Sequence, residues 1–151
     1  MLLQQLESDM KDAMRSKDRV RLQTIRLVRA AIKQIEIDSR TAGVSEVTDE
    51  DAVSVLQKQA KQRRDSITQF RNAGRDDLAD TELAELAIIE SYLPEQLSED
   101  KIRSTVKAVI AGTGANSMKD IGKVMGPAMN ELKGRADGGI VQRIVRELLS
   151  T

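Results

Sequence analysis

The sequence predicts an all-α protein built as two small helical domains. Three observations carry this. Apolar residues recur at three- and four-residue spacing almost throughout, and no segment alternates as a half-buried strand would. Aromatics are limited to one Tyr and one Phe, with no Trp. The core must therefore be Leu, Ile, Val, Ala and Met, which suits packed helices better than a β-sandwich.

Leu2, Leu3, Leu6, Met10, Ala13 and Met14 form the apolar stripe of a first helix. Asp18 is placed to cap a second, running to about Ser39, with Thr24, Ile25, Val28, Ala31, Ile32 and Ile35 inward. Arg40 to Val47, with Gly43 and Ser45, has no period and reads as a loop. Thr48-Asp49-Glu50-Asp51 resembles a capping box with Asp51 in the usual Glu position. It opens a long third helix bearing Ala52, Val53, Leu56, Ala60, Ile67 and Phe70, which Gly74 should end as a left-handed cap. Asp76 and Asp77 suit the positive end of a fourth helix, which buries Leu83, Leu86, Ala87, Ile89 and Leu93.

Pro94 disfavours helical geometry at Leu93 and marks the division. The expected domains are about 1–93, with four helices, and about 96–151, with three. Ser98 caps a fifth helix to about Ala111, ended by Gly112-Thr113-Gly114. Ser117-Met118-Lys119-Asp120 matches a capping box for a sixth helix, whose Met118, Ile121, Met125, Met129 and Leu132 face the core. Gly134 stops that helix and Asp137 caps the seventh. Pro127 falls inside the sixth helix, where a straight path costs roughly 3 kcal/mol. The expectation there is a kink or a fresh start.

The absence of Cys excludes disulfides and thiolate chemistry, and the absence of His removes the commonest general base and zinc ligand. No apolar run approaches the roughly 20 residues that span a membrane. The opening MLLQQLESDM lacks the basic segment of a secretory signal, and the chain reads as cytoplasmic. Carboxylates such as Glu82, Glu85 and Glu90 describe a solvated helix as readily as a metal site. No catalytic constellation, metal or cofactor is expected.

Net charge is zero, from 24 basic and 24 acidic residues, but unevenly spread. Asp76 to Asp100 holds nine acids and no base, whereas Lys101 to Arg146 holds nine bases against three acids, or +6. On the second helix Arg19, Arg26, Arg29 and Lys33 fall on one stripe that could follow a phosphate backbone, or be a solvated face with partners such as Glu36. Lys58, Lys61, Arg63, Arg64 and Arg71 on the third helix, with Gln57, Gln59 and Gln62, admit the same two readings. On the sixth helix Gly126 lies among Lys119, Lys123 and Asn130 and leaves backbone open to a bulky ligand, while Gly122 reads as a close-packing glycine. Lys133, Gly134 and Arg135 then form a cationic turn, and Arg143 and Arg146 extend the basic surface. Asp137, as a cap, already occupies the N–H groups that a phosphate would need.

Two blocks carry a resemblance. One is Ala73-Gly74-Arg75-Asp76-Asp77-Leu78 through Glu82, Glu85-Leu86, Ile89-Glu90 and Tyr92-Leu93-Pro94-Glu95-Gln96-Leu97-Ser98. The other is Gly122-Lys123-Val124-Met125-Gly126 followed by Lys133-Gly134-Arg135-Ala136-Asp137. With Asp9-Met10-Lys11-Asp12-Ala13-Met14 and Lys17-Asp18, they resemble the GatB/YqeY family along the whole chain, in its stand-alone YqeY form. The second block is also similar to the tail of the B subunit of tRNA-dependent amidotransferases, departing from it at Pro127 and at Gly138, where proline commonly stands. Those enzymes amidate glutamate or aspartate misacylated on tRNA, with glutamine as amide donor, and the tail engages tRNA. The resemblance thus implies a tRNA-binding accessory module without its own catalytic centre. Lys119, Lys123, Gly126, Lys133, Gly134 and Arg135 are its candidate contacts. The alternative is an adaptor for an aminoacyl-tRNA synthetase or amidotransferase subunit.

Overall fold

Seven α-helices and one short 3-10 turn make up the computed structural model, which describes residues 1–43 and 46–150; no strand occurs among them. Ser45, read as part of the loop after the second helix, lies outside the described residues. The helices are α1 (Leu2–Ser16), α2 (Arg19–Thr41), α3 (Asp49–Asn72), α4 (Asp76–Glu90), α5 (Glu99–Thr113), α6 (Ile121–Leu132) and α7 (Gly138–Leu149). Two compact units divide the chain, Met1–Leu93 and Pro94–Thr151.

Local chemistry sets most helix starts. The Asp18 carboxylate accepts the Arg21 N–H at 3.1 Å. Thr48 and Asp51 exchange side-chain-to-backbone bonds in a complete capping box. Ser98 accepts from the Lys101 N–H, and Asp137 accepts from Gly139 and Ile140. Such caps contribute about 1 kcal/mol each.

The sixth helix begins differently from the sequence expectation. Ser117 makes no side-chain cap; a 3-10 turn over Met118–Asp120 comes first, and α6 starts at Ile121. The Asp120 carboxylate instead accepts the Asn116 N–H at 3.1 Å, outside the helix. Helix α6 then runs uninterrupted through Pro127, so of the two expectations, a kink or a fresh start, the fresh start does not occur. Proline deprives the Lys123 carbonyl of its helical donor. Both residues are exposed, so the cost falls on the solvent side of the helix. Helix α5 likewise continues past Gly112 to Thr113 and ends on Gly114 at φ 70°.

In the first unit α3 and α4 pack most extensively, and α1 and α2 close the bundle. Leu6, Ile25, Val28, Ile32, Ala52, Leu56, Ala60 and Ile89 form its core. Leu83 and Ala87, expected inside, are exposed. Helix α4 carries apolar residues around its circumference, so spacing alone does not choose its buried face. In the second unit Val124, Ala128 and Leu132 are the buried row of α6, against Ile102 and Val106 of α5 and Val141, Ile144 and Val145 of α7. The methionine row is displaced to the edge: Met125 and Met129 are half-buried and Met118 is exposed.

Two polar clusters bind the first unit across long sequence separations. The guanidinium of Arg63 on α3 bridges Glu85 and, at 3.1 Å, Glu82 on α4, with all three side chains mostly shielded. The Tyr92 hydroxyl donates to Asp9 at 2.5 Å, and Arg21 stands 3.5 Å from the same carboxylate. Burial first, and Asp9 second, push the Tyr92 phenol up from 10.0 to about 12. The folded chain holds this proton more tightly than the unfolded one, so the contribution is complete below pH 10 and is lost as pH rises towards 12. Tyr92 is the only tyrosine, so tyrosinate absorbance reports it alone. The expected midpoint lies well above that of a free phenol and returns to the ordinary value in urea. Tyr92→Phe should lower stability by about 1–2 kcal/mol in denaturant melts.

Candidate nucleic-acid interface

The second unit presents its cations on a hairpin whose bend is fixed from within. The Leu132 carbonyl accepts the N–H groups of both Arg135 and Ala136, at 2.9 and 3.1 Å. Gly134 between them adopts φ 80°. Its carbonyl accepts the Gln96 amide at 2.8 Å, and the Arg135 carbonyl accepts the Leu97 N–H at 2.9 Å. The Pro94–Leu97 segment, the end of the first sequence block singled out above, is thereby joined to the turn. Burial alternates along the turn: Lys133 and Arg135 are exposed, Gly134 and Ala136 buried. Gly134, a candidate contact residue, is therefore a structural glycine whose work is to turn its neighbours outward.

Along α6 the helical repeat sets Lys123, Gly126 and Asn130 on one exposed stripe, with Lys119 at the preceding turn. A Cβ added at Gly122 or Gly126 would meet nothing within 4 Å. This overturns the reading of Gly122 as a packing glycine: no helix approaches it among the described residues. Both glycines leave bare backbone on the cationic face.

Not every predicted cation belongs to this face. Arg143 is held by Glu99 at 2.5 Å and Glu147 at 2.9 Å, and Glu147 also takes Arg103 at 2.9 Å. Arg103 first, and Arg143 with it, hold the Glu147 carboxyl below its ordinary range. Lys123 lies 3.6 Å from Asp120, whose carboxyl is lowered first by the Asn116 N–H. Lys119, Arg135 and Arg146 have no carboxylate partner among the described residues. The +6 window stopped short of Glu99 and Glu147, the very acids that pair with its arginines. Counted over Pro94–Thr151, nine bases face seven acids, or +2. Arg143 and Arg146 line a shallow surface depression with Gly139 and Gln142. The Asp137 carboxylate fills the α7 N-terminus, so no anion nest is open there.

In the first unit Arg19 and Arg26 are exposed without a carboxylate partner among the described residues. Lys33 pairs with Glu36 at 3.2 Å, and Arg29 is half-buried with Nη1 2.9 Å from the Met10 sulfur. The stripe is therefore not one uniform cationic face. Among the described residues no three acidic side chains gather as a metal-binding group, and no helix is long and apolar enough to cross a membrane.

These features define a class: an all-helical protein of two units, the second a glycine-bearing helical hairpin that turns cations outward at its bend. The chain belongs to the YqeY-like protein family, whose model matches residues 3–149. It is 36% identical over 151 residues to a protein of Pyrenophora tritici-repentis named "Altered inheritance of mitochondria protein 41, mitochondrial", covering 98% of this chain and 81% of that one. The identically named protein of Meyerozyma guilliermondii is 37% identical over 136 residues, covering 85% of this chain and 69% of that one. That of Eremothecium gossypii is 41% identical over 91 residues, 60% of this chain and 48% of its own. The cytoplasmic reading does not stand: these relatives are named as mitochondrial, which points to mitochondria instead. Lack of a secretory signal speaks only to secretion.

Gly126→Ala should stabilise the protein by about 0.5–1 kcal/mol, since the helix gains and the methyl meets nothing. Gly134→Ala should destabilise it by about 1–2 kcal/mol, since φ 80° strains any L side chain. Urea unfolding of both variants checks this opposition of sign.

Proposed function

We propose that the second unit binds structured RNA, and tRNA by resemblance to the amidotransferase B-subunit tail, as an accessory module without chemistry of its own. The observation that carries this reading is the exposed α6 face, where Lys123, with Lys119 one turn before, stands beside glycines that no other described residue covers. A helical glycine costs up to about 1 kcal/mol relative to alanine, and here no packing contact among the described residues offsets it. Bare backbone between cations lets a sugar-phosphate chain approach closely. Lys119, Lys123, Lys133 and Arg135 would meet phosphates, and Gly126 would give them room. Near-absence of aromatics favours duplex or folded RNA over single strands, whose bases need stacking platforms.

The test is a tRNA titration at two salt concentrations. Affinity should fall steeply with salt, and Lys119→Glu with Arg135→Glu should flatten the log–log slope by about 1 for each phosphate left unneutralised. Gly126→Ala should weaken binding despite raising stability. Arg143→Glu should matter little, because two carboxylates already hold that guanidinium. Salt-independent binding, or none at low salt, would sink the reading.

A further inference from the structure

Helix α2 buries Thr24, Ile25, Val28 and Ile32, yet its opposite side is not an ordinary solvated face. Val20, Leu27 and Ile37 are 44%, 46% and 48% exposed, three of the most exposed large apolar side chains in the protein. At about 100° per residue they share one sector with Gln23, Ala30 and Gln34, and the stripe is about 25 Å long. Arg19, Arg26 and Lys33 run along one edge of that sector. Beside Leu27 opens a groove of about 320 Å³ between α2 and α3, lined also by Gln59, Gln62, Arg63, Ser66 and Glu82. Two of these lining residues each keep a buried polar atom without a hydrogen-bond partner among the described residues, Gln59 Oε1 and Arg63 Nε. Native proteins leave few such atoms.

From this we infer that the outer face of α2 is a docking surface for an amphipathic helix of a partner protein, one with aliphatic anchors on its inner face and carboxylates along one flank. The anchors would cover Val20, Leu27 and Ile37, and the carboxylates would meet Arg19 and Arg26, which nothing in the chain neutralises among the described residues. Aliphatic side chains at the centre of the stripe argue against a phosphate backbone, which offers them no apolar contact. Glutamines in and beside the groove, and Asp38 at the stripe's end, argue against an anionic membrane and for protein hydrogen-bonding groups. This surface lies in the first unit and does not depend on RNA binding by the second.

The experiment titrates the full chain with a synthetic amphipathic helix of about 18 residues, matched to the stripe, with Leu at i, i+3, i+7 and i+10 and Glu along one flank. A twin carries Lys in place of Glu; tRNA and anionic phosphatidylserine vesicles complete the set. The Glu peptide should bind, and Leu27→Ser and Arg26→Glu should each weaken it about tenfold. Arg26→Glu should in turn prefer the Lys twin, a swap that reads the surface even if Leu27→Ser fails to fold. Binding of tRNA should be untouched by Leu27→Ser. No binding of the Glu peptide, equal binding of the twins, or vesicle or tRNA binding abolished by Leu27→Ser would overturn the inference.

Discussion

Everything the second unit displays depends on how the bend between α6 and α7 is held from behind. Four hydrogen bonds hold it: the Arg135 and Ala136 N–H groups donate to the Leu132 carbonyl, the Gln96 amide to the Gly134 carbonyl, and the Leu97 N–H to the Arg135 carbonyl. With those carbonyls engaged, the backbone leaves Lys133 and Arg135 only the outward direction, and Ala136 drops into the core with Leu132. The left-handed conformation of Gly134 makes this geometry possible. The Pro94–Leu97 segment is thus part of the hairpin and more than a tether.

Charge in this protein has to be read through contacts and not along windows. Arg103 and Arg143 share Glu147, and Arg143 also reaches Glu99, so α5 and α7 are tied by an exposed network of alternating sign. Exposed pairs of this kind contribute at most about 1 kcal/mol each. Their larger effect is on potential: a phosphate approaching Arg143 meets two carboxylates as well. What remains for an anionic partner around the α6 face and the turn is Lys119 and Arg135, which have no carboxylate partner among the described residues.

Local features were legible and distant ones were not. Asp18, Thr48 with Asp51, Ser98 and Asp137 act as caps because a cap needs only residues within a turn of it. Ser117 failed the same rule: in the 3-10 turn the Asp120 N–H goes to the Ser117 carbonyl, and the Asp120 carboxylate to the Asn116 N–H. The buried face of α4 was hidden by apolar residues on all sides, and that of α6 by methionines one step away from the true row of Val124, Ala128 and Leu132. Pairing of Tyr92 with Asp9, or Arg63 with Glu82 and Glu85, spans up to 83 residues and leaves no periodic trace. Of the candidate site, composition found the cations; which of them were already neutralised, and that Gly134 was buried, required coordinates.

The same residue types serve two different surfaces, and the spaces between them make the difference. On α6 Gly122 and Gly126 stand to either side of Lys123, so a partner meets bare backbone beside the cation and can approach closely there. On α2 arginines border Val20, Leu27 and Ile37, so a partner must bring apolar area before the charges are useful. A phosphate backbone satisfies the first arrangement and wastes the second, because aliphatic surface stays wet against it at about 25 cal/mol per Å². An amphipathic helix satisfies the second and gains little from the first, where glycine offers no side chain to cover. Cation counts alone would have assigned both faces to nucleic acid; what lies between the cations separates them.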